Sequence, residues 1–187
     1  MSHLPEDTPA GRVLAAIRSL GRPALGPARA RTGAWRAELE GLGDAALLGA
    51  RRLIDPAAAS CVRAGLLLFA DDIDGAHELC QSVETPDGSY WHGIVHRREP
   101  DYGNAKYWFR RVGDHPVFAG LTGSAAARQA EKEVLRGGIW DPFRMIDLVE
   151  ACEGGKRPEL REDLLALQEE EMLLLLGHCF QRAVGRR

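Results

Sequence analysis

The residues that mark where helices begin and end limit the possible folds of this sequence more than any other feature. Helix starts are marked by an acidic N-cap residue, often followed by proline, and helix stops by glycine. The starts are Asp44, Asp55-Pro56 and Asp141-Pro142, and the stops are Gly113, Gly137-Gly138 and Gly154-Gly155. We therefore predict helices at about 11–20, 34–41, 44–54, 56–70, 75–83, 89–98, 102–112, 124–136, 141–153 and 159–184.

The composition also favours a fold built only from helices. The 187 residues include 26 Ala and 24 Leu but only 19 β-branched residues, and no segment alternates in the manner of a strand. This length suits a single domain with one hydrophobic core. We expect residues 1–33 to form a flexible N-terminal segment with a short helix, and residues 34–187 to form one all-α helical bundle.

The sequence predicts a cytoplasmic protein. Its first residues lack the charged and apolar regions of a secretory signal peptide, and the longest leucine run, residues 173–176, is too short to cross a bilayer. The four cysteines lie apart in apolar stretches, which is typical of reduced, buried thiols. The net charge of −3 gives no electrostatic reason to expect a membrane or a nucleic acid as the partner.

A weak internal repeat appears at an offset of 29 residues. Placing Asp72 over Asp101 also places Ala76 over Ala105. In each copy, an acidic turn precedes a helix whose small alanine allows a close crossing with the helix before it. We predict a helical hairpin that has been duplicated once.

Residues 89–118 hold an unusual share of the aromatic and histidine residues. All three tyrosines, two of the four tryptophans and three of the six histidines lie here. The segment DYGNAKYWFRR resembles the second helix of Sel1-like and tetratricopeptide hairpins, in which an acidic turn is followed by alanine and then by an aromatic and basic run. That resemblance implies a scaffold that binds a protein partner. The strings YWHG and HRREPD, with the rest of residues 60–184, also resemble a family of small bacterial and fungal helical proteins, which implies no particular activity.

A binding surface is our first functional hypothesis for this segment. Between residues 89 and 112, five basic and two acidic side chains give a local charge of +3 among the aromatic rings. Such a surface suits a protein partner or a small anionic ligand, whereas no recognition motif supports nucleic acid. The residues expected to form it are Tyr90, Trp91, Arg97, Arg98, Lys106 and Trp108.

The alternative hypothesis is a metal-dependent enzyme or metalloprotein that binds one divalent transition metal ion. His92 and His96 stand at i and i+4, so their rings share one helix face and can reach one ion. A histidine pair that lacks the glutamate of an HExxH motif more often packs in a polar seam between helices without a metal. On the last helix, Glu171 and His178 fall within a leucine stripe. A carboxylate buried there needs an arginine such as Arg97 or Arg98, or a cation shared with the histidines.

Glu99 and His115 are alternate members of this metal site. Glu99 precedes Pro100, which favours an extended backbone, so Glu99 need not continue the helical face. His115 follows the Gly113 stop in a loop and can join the other histidines from there.

The last predicted helix, residues 159–184, has two alternative roles. Between residues 172 and 180 it is apolar on nearly all sides. A helix of this kind is either the central helix of a domain or half of a homodimer interface.

Overall fold

The computed structural model describes residues 4–123 and 129–185, and nearly all of its elements are helical. The helices in these ranges are α1 (Pro9–Arg18), α2 (Trp35–Gly41), α3 (Asp44–Leu47), α4 (Pro56–Phe69), α5 (Ile73–Cys80), α6 (Pro86–Arg98), α7 (Tyr102–Val112), α8 (Pro116–Gly123), α9 (Gln129–Val134), α10 (Pro142–Glu153) and α11 (Arg161–Val184). An antiparallel pair, β1 (Leu135–Arg136) and β2 (Ile139–Trp140), and a 3₁₀ turn (Pro158–Leu160) are also present. The prediction of an all-α fold is confirmed.

Side-chain caps mark the start of six helices, α1, α4, α5, α6, α7 and α10. Asp55 and Asp141 each accept hydrogen bonds from backbone N–H groups of the turn that follows, as the N-cap prediction requires. Asp44 differs, because it is the first residue of α3 rather than its cap, and its carboxylate binds Arg63. Helix α3 ends at Leu47, well before the predicted end at residue 54.

Two helical hairpins carry the internal repeat. Helices α4 and α5 pack together as the first hairpin, and α6 and α7 as the second. Asp72 and Asp101 cap the second helix of each hairpin, and Ala76 and Ala105 are both buried. Helix α6 is buried at every residue from Asp87 to Arg98.

Residues 4–33 pack against the rest of the chain, which differs from the expected flexible segment. Ile17 of α1 and Leu25 of the connection after it are fully buried in the same core as the later helices. The backbone N–H of Arg31 donates to the carbonyl of Ala70 at 2.8 Å, and its guanidinium group binds Asp71. Composition did not reveal this packing, because hydrogen bonds rather than a continuous apolar pattern hold much of the connection.

The predicted helix over 124–136 takes a different form. Helix α9 covers Gln129–Val134, α8 lies before it without having been predicted, and residues 124–128 lie outside the described residues. Gly137 and Gly138 have positive φ angles of 60° and 82° and form the turn between β1 and β2. The glycine pair thus ends the helical region by forming the turn of a β-hairpin. The sequence did not predict this hairpin, because its two-residue strands are too short to show an alternating apolar and polar pattern.

Helix α11 occupies the centre of the fold. It packs against α4, α8, α9 and α10, and Leu164, Leu167 and Leu175 of the predicted stripe are buried. Contacts within the chain thus account for most of its apolar surface, and a homodimer through this helix stays a prediction. Neither α11 nor any other helix of the described ranges combines the length and the hydropathy needed to cross a membrane.

All four cysteines are free and buried, as their apolar surroundings predicted. Burial raises the pKa of Cys80 to about 12. The Cys80 thiol is therefore protonated at neutral pH and fits a packing role.

Candidate metal centre

Three histidines from two helices converge beside the second hairpin. His92 and His96 share one face of α6, as their spacing predicts, and His77 of α5 completes the group. The ring centroids are 4.7, 4.8 and 4.9 Å apart, and one nitrogen of each ring lies within 4.8 Å of the others. We call this group the three-histidine cluster.

Glu99 contacts the cluster from the outside. Its carboxylate accepts a hydrogen bond from His77 Nδ1 at 2.8 Å, and it lies 3.1 Å from His96 Nδ1 without hydrogen-bond alignment. In neutral His77, the proton on Nδ1 leaves the Nε2 lone pair free. Glu99 reaches both rings because its φ of −81° and ψ of 13° lie in the bridge region rather than in the extended region. The extended backbone predicted from Pro100 is therefore wrong.

The inner side of the cluster has an incomplete set of hydrogen bonds. His92 Nε2 lies 2.9 Å from His77 Nε2, so these two nitrogens share a proton. His92 Nδ1 is buried and has no hydrogen-bond partner among the described residues. A buried nitrogen without a partner is costly, so hydrogen bonding alone does not account for the placement of the His92 ring.

Burial keeps the two α6 histidines uncharged near neutral pH. His92 is 4% exposed and His96 is 8% exposed. Desolvation, assisted by repulsion from His96 and His77, lowers the pKa of His92 to about 4. Desolvation also lowers the pKa of His96, although the charge of Glu99 opposes this shift. Neutral imidazole is the form that binds metal ions.

Trp108 of α7 covers one side of the cluster. Its ring stacks on His92 with the centroids 4.0 Å apart and the planes inclined by 22°. The stack restrains the His92 ring and excludes water from that side. Trp108, predicted as a ligand-binding residue, thus supports the histidines directly.

A second group of titratable residues surrounds Asp87 in the first turn of α6. Asp87 Oδ1 lies 2.8 Å from His115 Nε2 and 3.3 Å from His178 Nε2. Asp87 Oδ2 accepts a hydrogen bond from Arg182 Nη1 at 2.7 Å. We call this group the Asp87 cluster.

The contacts of the Asp87 cluster stabilise the negative charge of the Asp87 side chain and do not favour a bound metal ion. The backbone N–H of Val117 donates to His115 Nδ1 at 3.3 Å, so neutral His115 carries its proton on Nε2 and donates it to Asp87. A metal on Nε2 requires the opposite tautomer, and Arg182 already supplies a cation. Burial acts to raise the pKa of Asp87, but hydrogen bonds from His115 and His178, with the nearby charges, hold it well below its usual range.

Glu171 joins neither histidine group. It is fully buried, and its Oε2 accepts a hydrogen bond from Arg97 Nη2 at 2.6 Å while its Oε1 accepts one from the Tyr90 hydroxyl at 3.1 Å. Arg97 is one of the two arginines that the sequence suggested as partners. The four-residue metal set expected from the sequence is therefore divided among the three-histidine cluster, the Asp87 cluster and this ion pair.

Four of the six residues expected on a binding surface lie in the core. Tyr90, Trp91, Arg97 and Arg98 are each fully buried, and buried carboxylates neutralise both guanidinium groups. The physical reason is that α6 is surrounded on all sides, so its cations meet Glu171 and Asp71 instead of solvent. Lys106 and Trp108 remain partly exposed on α7.

Sequence reasoning did not find His77 as the third member of the cluster. His77 lies on another helix, 15 residues before His92, so no helical spacing relates the two. The predicted order of the helices could have indicated His77, because consecutive short helices such as α5 and α6 are usually neighbours in space. A search of the facing sides of these two helices for metal ligands therefore identifies His77.

Comparison of the chain with models of protein families, with curated proteins and with solved structures gives no match.

Proposed function

We propose that the protein binds a divalent transition metal ion of the zinc class through His77, His92 and His96. The observation that carries this proposal is the convergence of three imidazole rings, with one nitrogen of each lying within 4.8 Å of the others. Three histidines are a recurring ligand set for zinc. The burial that keeps His92 neutral supports the same reading, because a protonated ring cannot bind the ion.

The donor set favours a transition metal over calcium or magnesium. Imidazole nitrogen suits Zn, Cu, Fe and Ni, whereas Ca²⁺ and Mg²⁺ prefer oxygen ligands. Glu99 on His77 Nδ1 provides the carboxylate that metal-bound histidines commonly carry on their second nitrogen. This contact orients the His77 ring and increases the electron density on Nε2.

Metal binding requires only a small opening of the cluster. Ligand nitrogens on a tetrahedral zinc-class ion are about 3.3 Å apart, and His77 Nε2 and His92 Nε2 are now 2.9 Å apart. The ion takes the place of the proton that these nitrogens share, and this proton moves to His92 Nδ1, so both rings bind the ion as neutral imidazoles.

Calorimetric titration of tag-free protein with Zn²⁺ tests the proposal. We expect one ion per chain, and we expect His77→Asn and His92→Asn each to lower the affinity by about tenfold or more. His178→Asn, in the Asp87 cluster, is the matched control and should still bind one ion. Circular dichroism verifies that each variant is folded. Absence of binding by the folded wild-type protein, or binding by both cluster variants that is as tight as that of the wild type, would overturn the proposal.

The outer face of α7 supports a second candidate function, the binding of an acidic protein segment. Tyr107 is 46% exposed, and Arg110 and Arg111 beside it are also exposed. Tyrosine and arginine together are common at protein interfaces. Titration with a fluorescent acidic peptide tests this candidate. The double variant Arg110→Glu, Arg111→Glu should lose binding while Arg51→Glu, exposed on another part of the chain, retains it, and equal binding by both would refute the candidate.

A cytoplasmic location is part of the same proposal. Four buried, free thiols support it, because reduced cysteines are typical of that compartment. Fractionation of cells that express the full chain tests the location, and recovery from a secreted or membrane fraction would contradict it.

A further inference from the structure

The three-histidine cluster supplies fewer ligands than a zinc-class ion requires. Such ions take at least four ligands in proteins. Among residues 4–123 and 129–185, the group that can hold an ion here contains His77, His92 and His96 and no fourth histidine, cysteine or carboxylate. Three protein ligands with one further position is the arrangement of open zinc sites, whereas closed structural sites have four protein ligands.

Glu99 does not fill the fourth position. Both of its close contacts are to Nδ1 atoms, 2.8 Å from that of His77 and 3.1 Å from that of His96. The two nitrogens of an imidazole ring point in different directions, so a carboxylate at Nδ1 lies behind the ring as seen from an ion at Nε2. Glu99 is therefore a positioning residue, and the fourth ligand must come from outside the cluster.

The side of the cluster that is open to an outside ligand lies at His77. Trp108 stacks on His92, and His92 and His96 are almost completely buried. The His77 side chain is 30% exposed and that of Glu99 is 26% exposed. An incoming ligand thus reaches the cluster past these two residues.

A cleft of about 340 Å³ adjoins this side of the cluster, and Glu99 forms part of its wall. The cleft is also lined by Ala28 and Ala30 of the N-terminal connection, which have small side chains, and by the carboxylates of Asp71, Asp72 and Asp74. A volume of this size accommodates a small organic molecule. Glu99 thus lies between the cleft and the ring nitrogens of the cluster.

From these observations we infer that the bound metal ion keeps one exchangeable coordination position, which takes a small nitrogen or oxygen donor that enters through the cleft. The inference rests on the proposed function and adds the class of ligand. In the absence of such a donor, water occupies the position. A zinc-bound water with a pKa of about 7 supplies hydroxide at neutral pH, so the site has the composition of a hydrolytic centre.

Visible absorption of the Co²⁺-loaded protein tests the inference, with imidazole as the probe ligand. Co²⁺ replaces zinc in tetrahedral sites, and its bands respond to a change of ligand. We expect imidazole to shift the bands in a saturable manner. We expect Ala28→Trp, which fills the cleft, to weaken imidazole binding about tenfold without altering the Co²⁺ content. Ala46→Trp, at an exposed position away from the cleft lining, is the matched control.

The possible failures of the two proposals are distinguishable. If the folded protein does not bind Co²⁺ or Zn²⁺, the proposed function fails. If Co²⁺ binds but its spectrum stays unchanged at saturating imidazole, the exchangeable position is refuted while metal binding stands. If imidazole shifts the bands equally in Ala28→Trp and wild type, the cleft is not the route and that part of the inference is overturned.

Discussion

Arg97 of α6 and Glu171 of α11 form an ion pair that is closed to solvent on all sides, with Nη2 2.6 Å from Oε2 and neither side chain exposed. The pair joins the second hairpin to the central helix. Tyr90 donates to the other oxygen of Glu171, so the carboxylate is satisfied at both ends. Buried pairs of this kind are costly to break, because the remaining charge stays in the core without a partner.

Replacement of Glu171 by glutamine should therefore destabilise the protein strongly. We expect the free energy of unfolding in urea to fall by about 3–5 kcal/mol. Replacement of both residues, Arg97→Met with Glu171→Leu, should cost less than the single change, because no charge remains uncompensated. Arg12→Ala, which removes an exposed pair with Glu38, serves as the control and should cost less than about 1 kcal/mol. A Glu171→Gln loss no larger than this control would contradict the expectation.

The Asp87 cluster should make stability depend on pH in the acid range. In the unfolded chain, Asp87 takes up a proton near pH 3.9, about the usual value for Asp, whereas its pKa in the folded state is well below that. The folded state thus holds fewer protons, so this contribution is complete above the unfolded pKa and is lost as pH falls towards the folded one.

We accordingly expect Asp87→Asn to lower the melting temperature at pH 7 and to flatten its decline below about pH 4. Thermal unfolding at a series of pH values measures both effects. The exposed Asp7→Asn is the matched control and should leave the curve unchanged. A curve for Asp87→Asn that runs parallel to wild type would show that this carboxylate does not determine acid stability.

His92 should remain neutral far below the usual range for histidine. Its pKa is lowered to about 4, chiefly by desolvation, from about 6.5 in the unfolded chain. The stability that depends on neutral His92 is thus complete above pH 6.5 and is lost as pH falls through 4. Titration of the ring protons by NMR, assigned with His92→Gln, measures the midpoint in the metal-free protein. A midpoint near 6.5 would disprove the desolvated environment.

Gly93 should be essential to the close contact between α6 and α7. A Cβ atom at this position would lie 2.8 Å from two ring atoms of Phe109. We expect Gly93→Ala to lower the free energy of unfolding by about 1–3 kcal/mol, because the ring must shift. Gly103 of α7 is the control, since the nearest atom to its added Cβ is 3.8 Å away. Gly103→Ala should stabilise the helix by up to about 1 kcal/mol, and equal effects of the two changes would argue against the steric explanation.

The starts of several helices could be predicted from the residues immediately around them. Asp55 and Asp141 cap helices where predicted, since a cap depends on a few neighbouring residues. The extent of α3 and the packing of residues 4–33 were not predictable in the same way. Arg63 binds the Asp44 carboxylate and Arg31 binds Asp71, and both contacts join segments that are distant in the sequence.

The candidate site was only partly predictable for the same reason. The i, i+4 spacing places His92 and His96 on one face, and the structure confirms that shared face. Which third residue meets them depends on how α5 packs on α6, and this arrangement brings in His77 rather than Glu171 or His178. Glu171 was recognised as a buried carboxylate in need of a partner, but periodicity alone cannot decide between Arg97 and a cation.

The complete burial of α6 has a practical consequence for genetic analysis. Because no residue from Asp87 to Arg98 faces solvent, a substitution anywhere in this range changes the core. Random variants that lose function in α6 therefore need a separate measurement of folding before the loss can be assigned to ligand binding. The two can be separated at the partly exposed rim of the cluster, at His77 and Glu99, where a change of side chain alters the chemistry and leaves the core intact.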